Sequence, residues 1–328
     1  MPEERARGLC LLSGGLDSTL AICVLRAQGL HVEAVAFDSP FFHTVNAQRA
    51  AAGLDVPLHV ADFTADIVAL LRDPPHGFGG GMNPCIDCHA RMLRRAGEKM
   101  TAMGFDFLAT GEVLNQRPMS QTRHSLEIVA RESGYADRIV RPLCAQRLDP
   151  SGPERSGLVD RSRLLGLHGR SRQPQMELAK QYGLREYATP AGGCLLTEPG
   201  FCRRLRDLAD HEGLDDLRLL RLLRLGRHLR LPGGARCLVG RNRDENEQLA
   251  AAAGPDDVLL RTANVPGPTV LLPGGASAAD VECARGVCAS YGDRRSDAAT
   301  LVRVTRPGAS EEAPAEPLAR ADFAAWIR

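Results

Sequence analysis

Short apolar runs alternate with amphipathic stretches through the first hundred residues. Residues 8–12 are an apolar run of strand length. A glycine-bearing turn follows at 13–18, then a helix over 19–29 carrying Leu20, Ile22, Cys23, Val24 and Leu25. The same alternation predicts strands at 32–37, 58–60 and 107–110 and helices near 45–53, 64–71 and 86–103, with a Pro/Gly loop at 73–83. This alternation of short strand and helix predicts α/β architecture with a doubly wound parallel sheet. Residues 148–173 are polar and arginine-rich, and a helix near 175–182 leads into a second glycine loop, 189–200.

The pattern changes near residue 200. Leucine and arginine interleave as a helix over 201–225, and residues 228–240 read as a hairpin about Pro232, Gly233 and Gly234. Helices are expected at 245–253 and 277–291, and strands at 257–262, 269–272 and 300–305. The expected organisation is a domain over 1–200, a basic helical connector over 201–227, a smaller α+β domain over 228–306 and a tail over 307–328 that begins with the acidic GASEEAPAEP and carries Trp326.

With 44% hydrophobic and 25% charged residues, the chain has the makeup of a globular protein rather than a disordered one. It has no apolar run of about 18 residues and no signal-like start, so the expectation is a cytoplasmic protein with no membrane segment. Ten cysteines in such a chain are not a disulfide framework. The net charge of +1 hides 39 arginines against two lysines, Lys99 and Lys180. A GC-rich genome gives that bias, and so does selection for phosphate recognition. From Arg203 to Arg243 there are eleven arginines and five acidic residues, which points to an anionic partner on one face. Arg218, Arg221, Arg224, Arg227 and Arg230 recur at every third position and read as a phosphate-tracking surface or a solvated helix face.

Two motifs carry chemistry. In SGGLDS, Gly14 and Gly15 permit close backbone approach at a helix N-terminus, Ser13 and Ser18 add hydroxyls, and Asp17 can hold Mg²⁺. In NPCIDCH, Cys85 and Cys88 stand where a loop enters a helix, so their thiolates are favoured; Cys194 lies on the second glycine loop. Three cysteines admit a [4Fe–4S] cluster with one iron open, a persulfide relay between Cys85 or Cys88 and Cys194, or a Zn²⁺ site completed by His89 or Cys202. Asp38 ends the second strand, where it would contact adenosine or cap a turn. Arg170 and Arg172 are a phosphate clamp or loop charge, and His31, His59 and His168 read as structural.

SGGLDS resembles the loop of the PP-loop ATP pyrophosphatases, which implies use of ATP with release of AMP and pyrophosphate. NPCxxC, then a strand ending in Thr110-Gly111-Glu112, then GGC resembles the tRNA thiouridine synthetases over about residues 8–200. Cys85 and Cys194 match the two catalytic cysteines of the 2-thiouridine enzymes, and Cys88 matches the iron–sulfur version of that motif. Gly111-Glu112 with Gln116, Ser120, Gln121 and Arg141-Pro142-Leu143 is similar to the 4-thiouridine synthetases. The resemblance implies a tRNA uridine sulfurtransferase with Asp17, Cys85 and Cys194 catalytic. Ser13, Gly14, Gly15, Asp17, Ser18, Asp38, Gly111 and Arg170 would hold the nucleotide, and Cys85, Cys88 and Cys194 the cluster. Its partners would be tRNA and a sulfur donor, sulfide or a cysteine desulfurase persulfide; a homodimer is left open. Residues 240–249, 265–272 and the helix with Ala284 and Tyr291 resemble the RNA-binding domain of ribosome-quality-control factors.

Overall fold

A computed structural model of the chain describes residues 6–185, 187, 193–293, 299–306 and 308–328. The elements fall into two units, Met1–Glu198 and Pro199–Arg328. Of the glycine loop expected over 189–200, residues 189–192 lie outside the described residues.

The first unit runs β1 (Arg7–Leu11), α1 (Leu16–Ala27), β2 (His31–Asp38), α2 (Val45–Leu54), β3 (Leu58–Asp62), α3 (Thr64–Arg72), α4 (Cys85–Ala102), β4 (Phe107–Ala109), α5 (Arg123–Ser133), β5 (Ile139–Val140), α6 (Gly152–Arg155) and α7 (Gln173–Gln181). Its five strands are all parallel, in the order β3-β2-β1-β4-β5. Strand β1 is central, and Leu9 and Cys10 are wholly buried, as expected for a parallel strand covered on both faces. Helix α1 is apolar nearly all round because almost every residue from Leu16 to Leu25 is buried. The chain moves outward from β1 through β2 to β3, then returns to place β4 on the other side of β1. That reversal opens a crevice beyond the carboxyl ends of β1 and β4, the place where open α/β sheets bind ligands. SGGLDS follows β1 and Thr110-Gly111-Glu112 follows β4, so both motifs border it.

The second unit runs α8 (Pro199–His211), α9 (Leu217–Leu222), β6 (Arg227–Arg230), β7 (Arg236–Val239), α10 (Arg243–Ala251), β8 (Val258–Thr262), β9 (Thr269–Leu272), α11 (Ala278–Ser290), β10 (Thr300–Arg306) and β11 (Ala309–Ala315). Six strands pair antiparallel in the order β11-β10-β8-β9-β7-β6. Helix α11 lays Val281, Ala284, Val287 and Cys288 against the sheet side chains Leu229, Val239, Leu260, Val270 and Val302.

Three differences from the sequence expectation have physical causes. Helix α5 was not anticipated, although its signals are in the chain: Thr122 accepts the Ser125 amide at 3.1 Å, and Gly134 ends the helix in the left-handed region. The segment 201–227 is not a connector. It forms two helices that belong to the second unit, and Leu222 packs with Leu238, Leu249 and Leu271. The acidic stretch after residue 307 is not a tail but the edge strand β11, paired with β10 along its whole length. Acidic residues and Pro314 suit an edge, where they blunt further pairing, and Glu312 takes the Arg303 guanidinium across the ladder at 2.7 Å. Among the described residues no helix is long and apolar enough to cross a membrane.

Candidate functional site

The turn after β1 is shaped by what only glycine permits. Gly14 has φ +77°, and a β-carbon there would lie 2.2 Å from the Asn46 backbone of α2. The Ser13 and Ser18 hydroxyls are 3.1 Å apart, and Ser18 Oγ donates to the Gly15 carbonyl at 3.0 Å. This ties the turn into the first helical turn of α1, whose leading N–H groups face the crevice as an anion cradle. On the far side Gly111 lies so close that a β-carbon would stand 2.5 Å from Ser18 N and Cα. Gly111 therefore serves by letting the end of β4 rest on the start of α1.

Asp17 sits at the centre of a polar chain. Its Oδ2 accepts from Gln116 Nε2 at 2.7 Å and from Arg172 at 3.4 Å, while its Oδ1 is buried with no hydrogen-bond partner. Gln116 Oε1 accepts from Gln175 Nε2 at 2.7 Å, which fixes the amide so that its NH₂ faces Asp17. Gln175 is buried and was not anticipated; a buried polar residue on a helix has no sequence signature of its own. Arg172 reaches Asp17, whereas Arg170 is exposed. Asp38 ends β2, where its Oδ1 accepts the Thr44 amide at 3.3 Å and faces His43 Nδ1 at 3.4 Å.

The cysteines converge from two segments. Cys85 opens α4 and accepts a hydrogen bond from Asn83 Nδ2 at 3.0 Å; Cys88 follows one turn on. The turn bearing Cys194 is pinned by two backbone bonds, Leu195 N to Phe41 O and Met82 N to Leu196 O, each 3.0 Å. Cys88 shows the result: burial, and then the charges of Cys194 and Cys85, push its thiol well above the ordinary range. Of the two residues considered as a fourth ligand, His89 faces Glu112 and Cys202 lies buried in α8 of the second unit. Among the described residues the three-membered group whose ligand atoms lie within 4.8 Å of one another is His76, Asp87 and Glu132, not the cysteines. Both Asp87 oxygens take His76, Nδ1 at 2.6 Å and the amide at 3.2 Å, so the group clamps the loop before Cys85 onto α4.

Glu112 joins the two motifs. It is buried, accepts Arg141 Nε at 2.9 Å and Thr110 Oγ1 at 3.0 Å, and faces His89 Nδ1 at 3.4 Å. Burial alone would raise its carboxyl, but the Arg141 and His89 charges outweigh that and hold it at about 2. A continuous path therefore runs from Ser18 through Gly111 and Glu112 to His89, the neighbour of Cys88.

In the second unit the arginine series does not form one face. Helix α9 ends at Leu222, and Arg227 and Arg230 belong to β6, so the three-residue spacing spans two kinds of element. Arg230 and Arg236 are buried against Asp207 and Glu212, and Arg218 is held by Asp257. Arg221 is exposed and Arg227 stacks on Tyr291.

Residues 4–149 match the family model described as thiamine biosynthesis protein (ThiI), and residues 226–327 match that of the NFACT protein RNA binding domain. The chain is 33% identical over 129 residues to the tRNA-specific 2-thiouridylase MnmA of Syntrophotalea carbinolica, covering 34% of this chain and 36% of that one. It is 26% identical over 178 residues to a probable tRNA sulfurtransferase of Oceanobacillus iheyensis, covering 51% and 40%. It thus spans well under half the length of these curated relatives. A solved 4-thiouridine synthetase–RNA complex with bound ATP aligns with TM-score 0.37 and 19% identity over 66% of this chain and 52% of that one. The chain resembles, in its first unit, the PP-loop enzymes of the tRNA thiouridine synthetase type and, in its second, the RNA-binding domain of the NFACT proteins.

Proposed function

We propose that the protein is an ATP-dependent tRNA uridine thiolase, replacing a uracil carbonyl oxygen with sulfur. The observation that supports this reading is the path from Ser18 through Gly111, Glu112 and His89 to Cys88, which links the turn after β1 to the cysteine-bearing helix. The N–H groups of the turn and of the α1 N-terminus hold the ATP phosphates. Asp17 fits a Mg²⁺ ion, because its buried Oδ1 lacks a partner and Gln116 occupies the other oxygen. Mg²⁺ bound there would neutralise phosphate charge. The target uridine leaves its stack to enter. Its carbonyl oxygen attacks the α-phosphorus, the bond to pyrophosphate breaks, and an adenylated base results. Sulfur then adds at that carbon and AMP departs with the original oxygen.

Cys85, Cys88 and Cys194 fit a [4Fe–4S] cluster. Burial, and after it the charges of Cys194 and Cys85, raises the Cys88 thiol, and cationic iron would favour the thiolates instead. Such a cluster would supply an open iron position at which sulfide can be held. The protein's own part is to hold three sulfurs and one vacancy in place. Anaerobic reconstitution should give about four irons per chain. Cys85→Ala, Cys88→Ala and Cys194→Ala should each lose the iron and thiolation together, while Cys283→Ala should lose neither. The Asn83 hydrogen bond to Cys85 Sγ favours a second reading, a persulfide relay between Cys85 and Cys194, in which a cysteine desulfurase persulfide passes its outer sulfur to one thiolate and is left as a thiol. Full-rate thiolation by metal-free protein would establish the relay and end the cluster reading.

A further inference from the structure

Two arginines of the second unit share one aromatic ring. Arg218, Arg230, Arg236, Arg241, Arg303 and Arg328 each meet a carboxylate. Arg227 and Arg320 have no carboxylate partner among the described residues. Their guanidiniums instead lie over one ring, 4.8 and 5.2 Å from the centroid of Tyr291. Tyr291 is the C-cap of α11, so the negative end of that helix helps gather cations here. Neither that field nor the ring takes up their N–H groups. Stacking covers a guanidinium's face and leaves its donor edges open. The ring also fixes the positions of two otherwise mobile side chains, which lowers the entropy lost when an anion binds.

The aromatic surface continues beyond the pair. Phe323 is 5.9 Å from Tyr291 and Trp326 is 6.2 Å from Phe323, centroid to centroid. Phe323 is buried, whereas Tyr291 and Trp326 are partly exposed and Arg320 is exposed. Unpaired cations beside exposed rings are the combination by which single-stranded nucleic acid is bound: phosphates on the arginines, bases on the rings.

We infer that Arg227 and Arg320, carried on Tyr291, form a backbone-phosphate site for single-stranded RNA, with Trp326 as the neighbouring stacking surface. This rests on the second unit being an RNA-binding one. It goes further by moving the contact from the arginine-rich helices to β6, the end of α11 and the C-terminal turn.

Trp326 is the chain's sole tryptophan, so it reports on this site directly. The full chain is titrated with single-stranded oligouridylate at several salt concentrations, following Trp326 emission. Wild type should change emission on binding, with affinity falling steeply as salt rises. Arg227→Ala with Arg320→Ala should lower the slope of log affinity against log salt by about 1.4, two phosphates on the single-strand scale. The double lysine variant, which keeps both charges, should retain the slope. Arg303→Ala, which removes one charge elsewhere in the unit, should also leave it unchanged. Should the double alanine variant fail to fold, Arg227→Gln and Arg320→Gln singly should each remove about 0.7. A wild-type slope in the double variant would overturn this site and leave the RNA reading intact. Wild-type protein that binds no RNA would overturn the RNA reading itself.

Discussion

Asp17 in the first unit and Asp207 in the second are both largely buried carboxylates, and their surroundings are opposite. Asp17 keeps one oxygen without a hydrogen bond, held that way by Gln116 and Gln175. Asp207 takes Arg230 at 2.6 Å, Arg236 at 2.9 Å and Arg328 at 3.0 Å. An unpaired buried acceptor costs about 1–3 kcal/mol, and at Asp17 it borders the crevice, where a bound cation would satisfy it. A carboxylate surrounded by guanidiniums has no such vacancy and serves the fold. The crevice of the first unit thus keeps one carboxylate oxygen of Asp17 open, while at Asp207 the second unit commits its charge to internal pairs. Arginine count alone does not distinguish cations held by internal carboxylates from cations left to meet an anion.

The contrast can be broken from either side. The largest effect is expected from Asp207→Ala, which strands buried arginines. It should destabilise the second unit by about 3–5 kcal/mol, read from Trp326 emission in denaturant, and leave nucleotide binding by the first unit unchanged. Next is Asp17→Ala. It should lower tRNA-dependent pyrophosphate release about a hundredfold, roughly 2.7 kcal/mol, without moving the Trp326 transition. Release of ADP and phosphate instead would contradict the adenylation step.

Acid should separate the units by a smaller margin. Burial, then the charges of Arg204 and Arg236, push His228 down from 6.5 to about 3. The unfolded chain takes that proton at the higher pH, so stability is lost as pH falls below about 6.5 and the loss is complete near 3. Glu112 works lower: its contribution is present above 4.5 and lost as pH falls towards about 2. The Trp326 transition should weaken first on acidification, and His228→Gln should flatten its dependence between those limits. The smallest effect belongs to Arg303→Ala. Removing this exposed cross-strand pair with Glu312 should change stability by less than about 1 kcal/mol.

The sheet crevice could be read from the chain because its signals are local. SGGLDS between an apolar strand and a helix, and CxxC at a helix start, need no long-range information. The meeting of Cys194 with Cys85 and Cys88 depends on backbone bonds from Leu195 to Phe41 and from Met82 to Leu196. The second glycine loop and the family resemblance suggested that meeting without supplying those bonds. Gln175 and the His76–Asp87 clamp were not legible as parts of a site, and Glu112 and Arg141, singled out through the resemblance, could not be read as a buried ion pair, since each contact depends on a partner distant in sequence. Strand β11 was hidden by its acidic composition, which describes a solvated edge as well as a linker. The arginine series misled because a three-residue spacing keeps one face only while the chain stays helical, and it stops at Leu222.

The most direct test of the account is nucleoside mass spectrometry of tRNA from a strain lacking the gene, with and without the gene restored. The account predicts that 2-thiouridine or 4-thiouridine disappears, returns with the wild-type chain, and does not return with Cys88→Ala or Asp17→Ala. Unchanged levels of both thiouridines in the deletion strain would contradict it.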